Sequence, residues 1–472
     1  MDTSRWLTAA LALGLTACSA AKEPDTVLRR AQTAMGEVRS ITYSASGKYA
    51  RYGQGLTAGE PWRQRELSGF TRTINYDQRA MRDEVTFGPT VVGRYQPNEE
   101  VRGDKAWGIG AQGPTPQIAA AEERQLHIWL TPHGFVKAAM AAADTIHSEG
   151  EGTDVISFTV LGRYPISGTF DDRGFLTRVQ TVVPDPVLGD AEIVVSYSDY
   201  REFGGIRFPA RIEIEQGGFP LWELNVATVT PNVPFDLPVP ENVATATILP
   251  ERVASTKVAD GAWHVTGGPQ HHSLLVEFAE FLAVVEAPDT EARSLAVIEE
   301  AGRLAPGKPI RYVVATHHHF DHTGGLRTYV AGGATVVTHH TNVEYTRQTL
   351  LRRATVAPDR LSLHPRAPTI VGVSDKYEIT DGKQTLEVYA ASGDDHTTYY
   401  ALAYLPGPKI IVQNDSYTPG PGEVPPPAMP PENALAFYES LQPLKLDVRT
   451  IVPIHGPRAF PMAEFLKFIG KK

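Results

Sequence analysis

Residues 316–322 read Thr-His-His-His-Phe-Asp-His and contain the pattern His317-x-His319-x-Asp321-His322. Neutral imidazole and carboxylate are the ligands of zinc and related divalent ions. So many titratable groups in one loop add little to folding at neutral pH, which points to metal chemistry. In an extended segment, residues two apart face the same way, so His317 and His319 can chelate one ion together. Asp321 and His322 follow as the chain turns and can face a second ion nearby. His318 is out of phase with its neighbours and is not expected to ligate. Gly324 and Gly325 let the backbone approach closely and start a helix without a Cβ clash.

One run cannot close a site, so the remaining donors must come from other strand ends. His396 lies in Ser392-Gly393-Asp394-Asp395-His396-Thr397, between two strands, and can complete the first ion. Asp415 ends the apolar stretch Val412-Gln413-Asn414, and its two oxygens can bridge both ions. His455 ends Ile451-Val452-Pro453-Ile454 and can complete the second. His271 and His272, in a turn between strands, are candidates for contact with the second ion or the substrate. His339 and His340 follow the strand Thr335 to Val337 and read as a solvated pair. His127, His133, His147, His264 and His364 read as structural or exposed.

The elements that position these residues form an α/β pattern over 251–472. Strands are expected at Gly261–Val265, Leu274–Phe278, Phe281–Val285 and Ile310–Ala315, the last ending at the histidine run. More strands are expected at Gln384–Ala390, Tyr399–Leu405 and Lys409–Val412. Asp289 or Thr290 can cap a helix reaching Leu304, with Leu295, Ile298 and Ala301 as its inner face. Ala434–Leu441 and Met462–Ile469 read as helices. Thr418–Pro431 contains seven prolines directly after Asp415 and is a candidate pocket wall.

Residues 25–230 read differently. Asp25–Val38 has helical periodicity and Gln117–Ala143 looks helical. Ile41–Tyr49 and Val155–Leu161 alternate as strands, and hairpin turns are expected at Asp171–Gly174 and at Gly204–Gly205. This predicts an α+β domain built on an antiparallel sheet. Its phrase from Tyr197 to Ile212 resembles the half-barrel domains of bacterial lipoprotein carriers. Prolines 231, 234, 238, 240 and 250 make residues 231–250 a stiff, extended linker.

The chain has 472 residues, 42% hydrophobic and 21% charged, enough for two or three domains with real cores. Its net charge of −10 shows none of the basic surplus of a nucleic-acid binder. The single cysteine, Cys18, ends Leu15-Thr16-Ala17-Cys18 after the short apolar stretch Trp6–Ala17. That arrangement resembles a bacterial lipoprotein signal, with residues 1–17 removed, Cys18 lipidated and 18–24 serving as a tether. The resemblance implies a lipid anchor in the cell envelope, at the outer membrane facing the periplasm. Beyond Cys18 no thiol exists for a disulfide, a nucleophile or a metal ligand.

Taken together, the ordered donors of residues 251–472 resemble the metallo-β-lactamase superfamily, and the resemblance implies an αββα sandwich. It implies a first metal on His317, His319 and His396, a second on Asp321, His322 and His455, and Asp415 between them. Lactamases of the superfamily have Cys or Ser near the place of Asp415, whereas the glyoxalase II-like and lactonase-like branches have the aspartate. The expected activity is therefore hydrolysis of a small ester, lactone or related acyl substrate by two ions, zinc first, with iron or manganese as alternatives. Such ions share a water and lower its pKa from about 15.7 toward ~7. The metal-bridging hydroxide would attack, Asp321 would orient it and Tyr417 would hydrogen-bond the oxyanion. The rivals are a mononuclear iron oxygenase of the same fold, a β-lactamase, and a non-catalytic lipid- or lipoprotein-handling module.

Overall fold

The computed structural model describes residues 23–88, 98–142, 146–149, 154–267, 271–393 and 395–471. The signal segment, Cys18 and most of the tether lie outside the described residues. Among those described, no helix is long and apolar enough to cross a membrane.

Among the described residues, the first half is one antiparallel sheet of thirteen strands. Its first strand, Ser40–Gly55, pairs with its last, Phe219–Pro231, so two meanders fan out from a shared centre. The edges, Gly113–Pro116 and His147–Glu149, do not pair with each other, so the sheet stays open. Helices Pro24–Met35, Ala121–Leu130 and Pro132–Ala141 share its hydrophobic core. Val27, Leu28, Ala31 and Met35 are the buried side of the first helix, at the spacing of one helical face. The long helix expected over 117–143 breaks at Thr131-Pro132, where the proline starts a second helix. Both expected hairpins form. The Asp171 carboxylate accepts from the N–H groups of Arg173 and Phe175, and Gly204 and Gly205 both take left-handed φ.

After Pro231 the proline-rich stretch is fastened down. Leu237 and Val243 are buried against Ala80 and Trp107. The second half is an αββα sandwich, as expected. A seven-stranded mixed sheet and a six-stranded sheet enclose one apolar layer containing Leu274, Val285, Val314, Val388, Val412 and Val452. Helices Glu291–Leu304 and Leu326–Ala331 cover the first sheet, and Glu432–Leu441 and Met462–Phe468 the second. The Thr290 hydroxyl caps the first of these helices by accepting from the Arg293 N–H at 3.2 Å. Its buried side is Ser294, Val297 and Ala301, with Leu295 and Ile298 only partly covered. Of the expected inner face, Ala301 is buried, Ile298 packs on the same core and Leu295 stays half-covered, while Ser294 packs against Gly325.

That packing depends on two glycines. A Cβ on Gly324 would stand 1.9 Å from the Asp289 carbonyl oxygen, and one on Gly325 would stand 1.9 Å from Ser294 Oγ. The chain after His322 therefore lies directly on the loop that follows the strand Leu282–Val285. Gly324→Ala should destabilise by ~1–3 kcal/mol, because a backbone carbonyl cannot step aside. Gly302→Ala, in the helix with nothing near its Cβ, should instead gain about 0.5–1 kcal/mol. Thermal unfolding of both variants checks the pair, and equal melting temperatures would contradict the packing.

Candidate metal centre

The expected donors converge at one end of the two facing sheets. His317, His319, Asp321 and His322 follow the strand Ile310–Val314, and Asp415 and His455 follow Ile410–Gln413 and Thr450–Pro453. These three strands run parallel to a neighbour, and the donors sit past their C-terminal ends, where open α/β sheets hold ligands. His396 comes from the turn between Thr385–Ser392 and Tyr399–Leu405. The donor atoms of His317, His319, His396 and Asp415 lie within 4.8 Å of one another, as do those of His322, Asp415 and His455. A third group joins His271, Asp321 and His455 in the same way.

Each motif imidazole has its outer nitrogen occupied and its inner one free to face the cluster. His317 Nδ1 meets Thr316 Oγ1 at 3.1 Å, leaving Nε2 inward. His319 donates from Nε2 to the Gly55 carbonyl at 2.8 Å, which leaves the Nδ1 lone pair 3.0 Å from His317 Nε2. His322 donates from Nδ1 to Glu286 Oε2 at 2.7 Å, leaving Nε2 3.0 Å from Asp415 Oδ1. Such outer partners fix ring orientation and tautomer and raise the basicity of the inner nitrogen. Asp415 reaches both sides: Oδ2 contacts His396 Nε2, and Oδ1 lies 2.7 Å from His455 Nε2. His317 and His322 have no exposed side-chain surface, whereas Asp321, His396, Asp415 and His455 retain 21%, 20%, 14% and 17%. The cluster is a buried floor that opens on the side of these four residues.

Electrostatics match this donor set. Burial and the neighbouring imidazoles hold His317 well below the usual histidine range; burial and His318 do the same for His319. Both are therefore neutral, the form in which an imidazole can bind a cation. Burial also works against charge on His322, but Asp415, Glu286 and Asp321 more than reverse it and push that group well up. Burial raises Asp415, yet His322, His396 and His455 hold its carboxyl well below the usual range. A tight set of carboxylates that draws positive charge inward, beside neutral imidazoles, is a fit for divalent cations.

Several contributors carry no sequence signal of their own. Glu286 is fully buried and takes a left-handed φ of 75°. Its Oε1 accepts from the Thr316 N–H at 2.7 Å while Oε2 takes His322, so one strained residue fixes both ends of the loop. Gln54, from the other domain, donates to Asp321 Oδ1 at 2.7 Å. His271 binds the other Asp321 oxygen at 3.1 Å and Asp289 at 3.0 Å, and these carboxylates raise it to about 9 against burial. Gln413 pins the Asp415 turn by accepting from the Ser416 and Tyr417 N–H groups. Of these only His271 stands out in the sequence, as a candidate beside the second ion; the others do not, because every pairing except that of Gln413 is long-range.

Other expectations are corrected. Tyr417 does not reach the donors: its ring packs 4.4 Å from Phe468 and 5.1 Å from Phe460, in the cluster beneath the outer helices. The tight turn held by Gln413 leads its ring into that aromatic cluster. His318 stays off the donor groups, as expected, and donates to the Gly55 carbonyl at 2.9 Å. His272 turns away against His264, while its N–H pairs with the Ile454 carbonyl. His339 is buried and stacks on Tyr399 instead of facing solvent. Only the start of the proline-rich loop touches the site, where Pro419 packs on Gly456 beside His455. Most of the rest is exposed.

Residues 266–455 match the family model of the metallo-beta-lactamase superfamily. The family match thus belongs to a domain within the second half of the chain, residues 266–455. Solved structures similar to it include a metallo-beta-lactamase from Pontibacter korlensis, at 20% identity and a TM-score of 0.35, covering 47% of this chain and 100% of that one. Another, from Hirschia baltica, is 16% identical with a TM-score of 0.36, covering 47% and 97%. The mono-zinc form of a Pseudomonas aeruginosa metallo-beta-lactamase is 17% identical with a TM-score of 0.35, covering 46% and 94%. No curated protein matches the chain. Members of the superfamily typically bind metal ions, and the clustered His and Asp side chains of this domain are of a kind that could hold one.

In this domain, outer partners from both halves of the chain should matter to metal affinity. Gln54→Leu and Glu286→Gln are each expected to weaken zinc binding by about 10–100-fold. Competition with a chromophoric chelator measures this directly. Unchanged affinity in Gln54→Leu would show that the first half of the chain does not shape the centre.

Proposed function

We propose that the protein is a dinuclear metal-dependent hydrolase of small esters, lactones or related acyl compounds. The observation that carries this reading is Asp415, whose two oxygens touch donors of both groups, His396 on one side and His322 and His455 on the other. Two divalent ions, zinc first, with iron or manganese as alternatives, would supply an acidified water and a Lewis-acid contact for the substrate oxygen. His317, His319 and His396 would hold one ion, Asp321, His322 and His455 the other, with Asp415 shared. Structural zinc sites are closed, single-ion and usually rich in cysteine, unlike this cluster.

The chain's own residues contribute orientation and proton handling. Asp321 is fixed through both oxygens, by Gln54 and His271, so its carboxylate is held beside the donors to orient a reacting water and take its proton. Buried His317 and His322 keep solvent from the floor, and substrate would approach over His396 and His455. The aspartate at position 415 supports the glyoxalase II-like and lactonase-like branch over a β-lactamase. The signal-like segment ending at Cys18 supports an envelope-anchored protein, which Cys18→Ser should release from the membrane fraction.

Metal analysis of the purified chain should give two transition-metal ions per molecule, and lactone and aryl-ester hydrolysis should need them. Loss of an outer partner typically costs about 10–100-fold, so His317→Ala and Asp415→Asn should lower kcat/KM by more than that. A single iron per chain would favour the oxygenase, cephalosporin as the preferred substrate would favour the lactamase, and no bound transition metal would sink the proposal.

A further inference from the structure

A second site lies away from the metal centre, within the first half of the chain. Between the thirteen-stranded sheet and the helix Ala121–Leu130 is a cavity of about 390 Å³. Cavities of this size, walled by apolar and aromatic side chains with few polar groups, are the usual form of small-molecule sites. Tyr43, Tyr49, Phe70, Phe208, Trp222 and Leu224 form its sheet side, and Leu130 and Thr131 reach it from the helix. The aromatic wall is itself well packed: Tyr49 lies 4.4 Å from Trp222 and Tyr43 lies 5.1 Å from Phe208.

The charged groups on the wall decide what can enter. Arg72 is the cation among its lining residues, and it is spent in a two-pronged bond to Asp83, at 2.7 and 2.6 Å, directly across the strand pair. Glu99 is engaged by Arg124 at 3.3 Å. Asp185 accepts from the Tyr52 hydroxyl and from the N–H groups of Val187 and Leu188. His127 is held down at about 4 by burial and by Arg72, so it is neutral and can share a hydrogen bond without offering charge. Glu123 also lines the space; burial and the nearby Glu99 push its carboxyl up, and it offers an anion no positive partner. An anion would therefore be buried without a free partner, which is costly.

We propose that this cavity binds an uncharged, hydrocarbon-rich small molecule, held by the aromatic wall and excluded if it carries negative charge. The site is independent of the metal chemistry. It abuts the centre without containing it: Tyr52 lines the cavity, and its ring also packs 5.3 Å from Phe320, between His319 and Asp321.

Two fluorescent probes of similar ring size test this on the full chain: neutral N-phenyl-1-naphthylamine and the anionic 1-anilinonaphthalene-8-sulfonate. The neutral probe should bind saturably at one per chain, and more tightly than the sulfonate by about tenfold or more. Val195→Phe or Ile193→Phe, which fill the space, should abolish that binding, while His317→Ala should leave it unchanged. Asp83→Asn, by freeing Arg72, should raise affinity for the sulfonate. If the filling variants do not fold, a wild-type crystal soaked with a bromonaphthalene replaces them, and its bromine signal should fall inside the cavity. No saturable binding of the neutral probe, equal binding of the two probes, undiminished binding by a folded cavity-filling variant, or loss of binding in His317→Ala would overturn the proposal. So would a bromine signal elsewhere.

Discussion

Metal donors converge only when their remaining polar atoms are satisfied elsewhere, and this constraint organises the whole molecule. An imidazole with both nitrogens free would turn at random, and a buried carboxylate with an idle oxygen would be expensive. Here the outer nitrogens of His317, His319 and His322 go to Thr316, Gly55 and Glu286. Asp321 is braced by Gln54 and His271. The loops carrying these partners are in turn held by unusual backbone, with Glu286 and Asp289 both at left-handed φ.

The two halves of the chain meet at that centre. The end of the strand Ser40–Gly55, with the hairpin it enters, reaches across the motif, where Gly53 leaves room for the ring of Phe320 and Gly55 presents its carbonyl to two histidines. The same hairpin continues to the turn of His396: Thr398 donates its N–H to the Leu56 carbonyl, and Arg63 bonds the Asp395 carbonyl. Farther off, Asp190 binds the backbone of Thr355 and Val356. The first half thus supplies part of the lining of the metal centre and a separate cavity behind Tyr52.

Much of the second half was legible in the sequence because its ligands occupy one dense run and the ends of apolar strands. Strand bounds fell close to those expected, since continuous apolar stretches such as Leu282–Val285 can only be buried strands in so short a space. What was not legible is what depends on tertiary contact. Glu286 looks like any acidic residue after a strand, and Gln54 like any polar residue at a hairpin. Tyr417 is near Asp415 in sequence, yet the turn between them delivers its ring to the cluster of Phe460 and Phe468. In the helix Glu291–Leu304, periodicity places Ile298 and Ala301 inward but gives no sign of Ser294, whose burial against Gly325 is a tertiary contact. In the first half, alternation marked the strands, but nothing local revealed that the first and last strands pair.

The most direct test of the account is anomalous diffraction at the metal absorption edge from crystals of the purified full chain. Two peaks are predicted, one at the inner nitrogens of His317, His319 and His396 and one at those of His322 and His455, with Asp415 touching both. A single peak, or two peaks with Asp415 bound to neither, would contradict it.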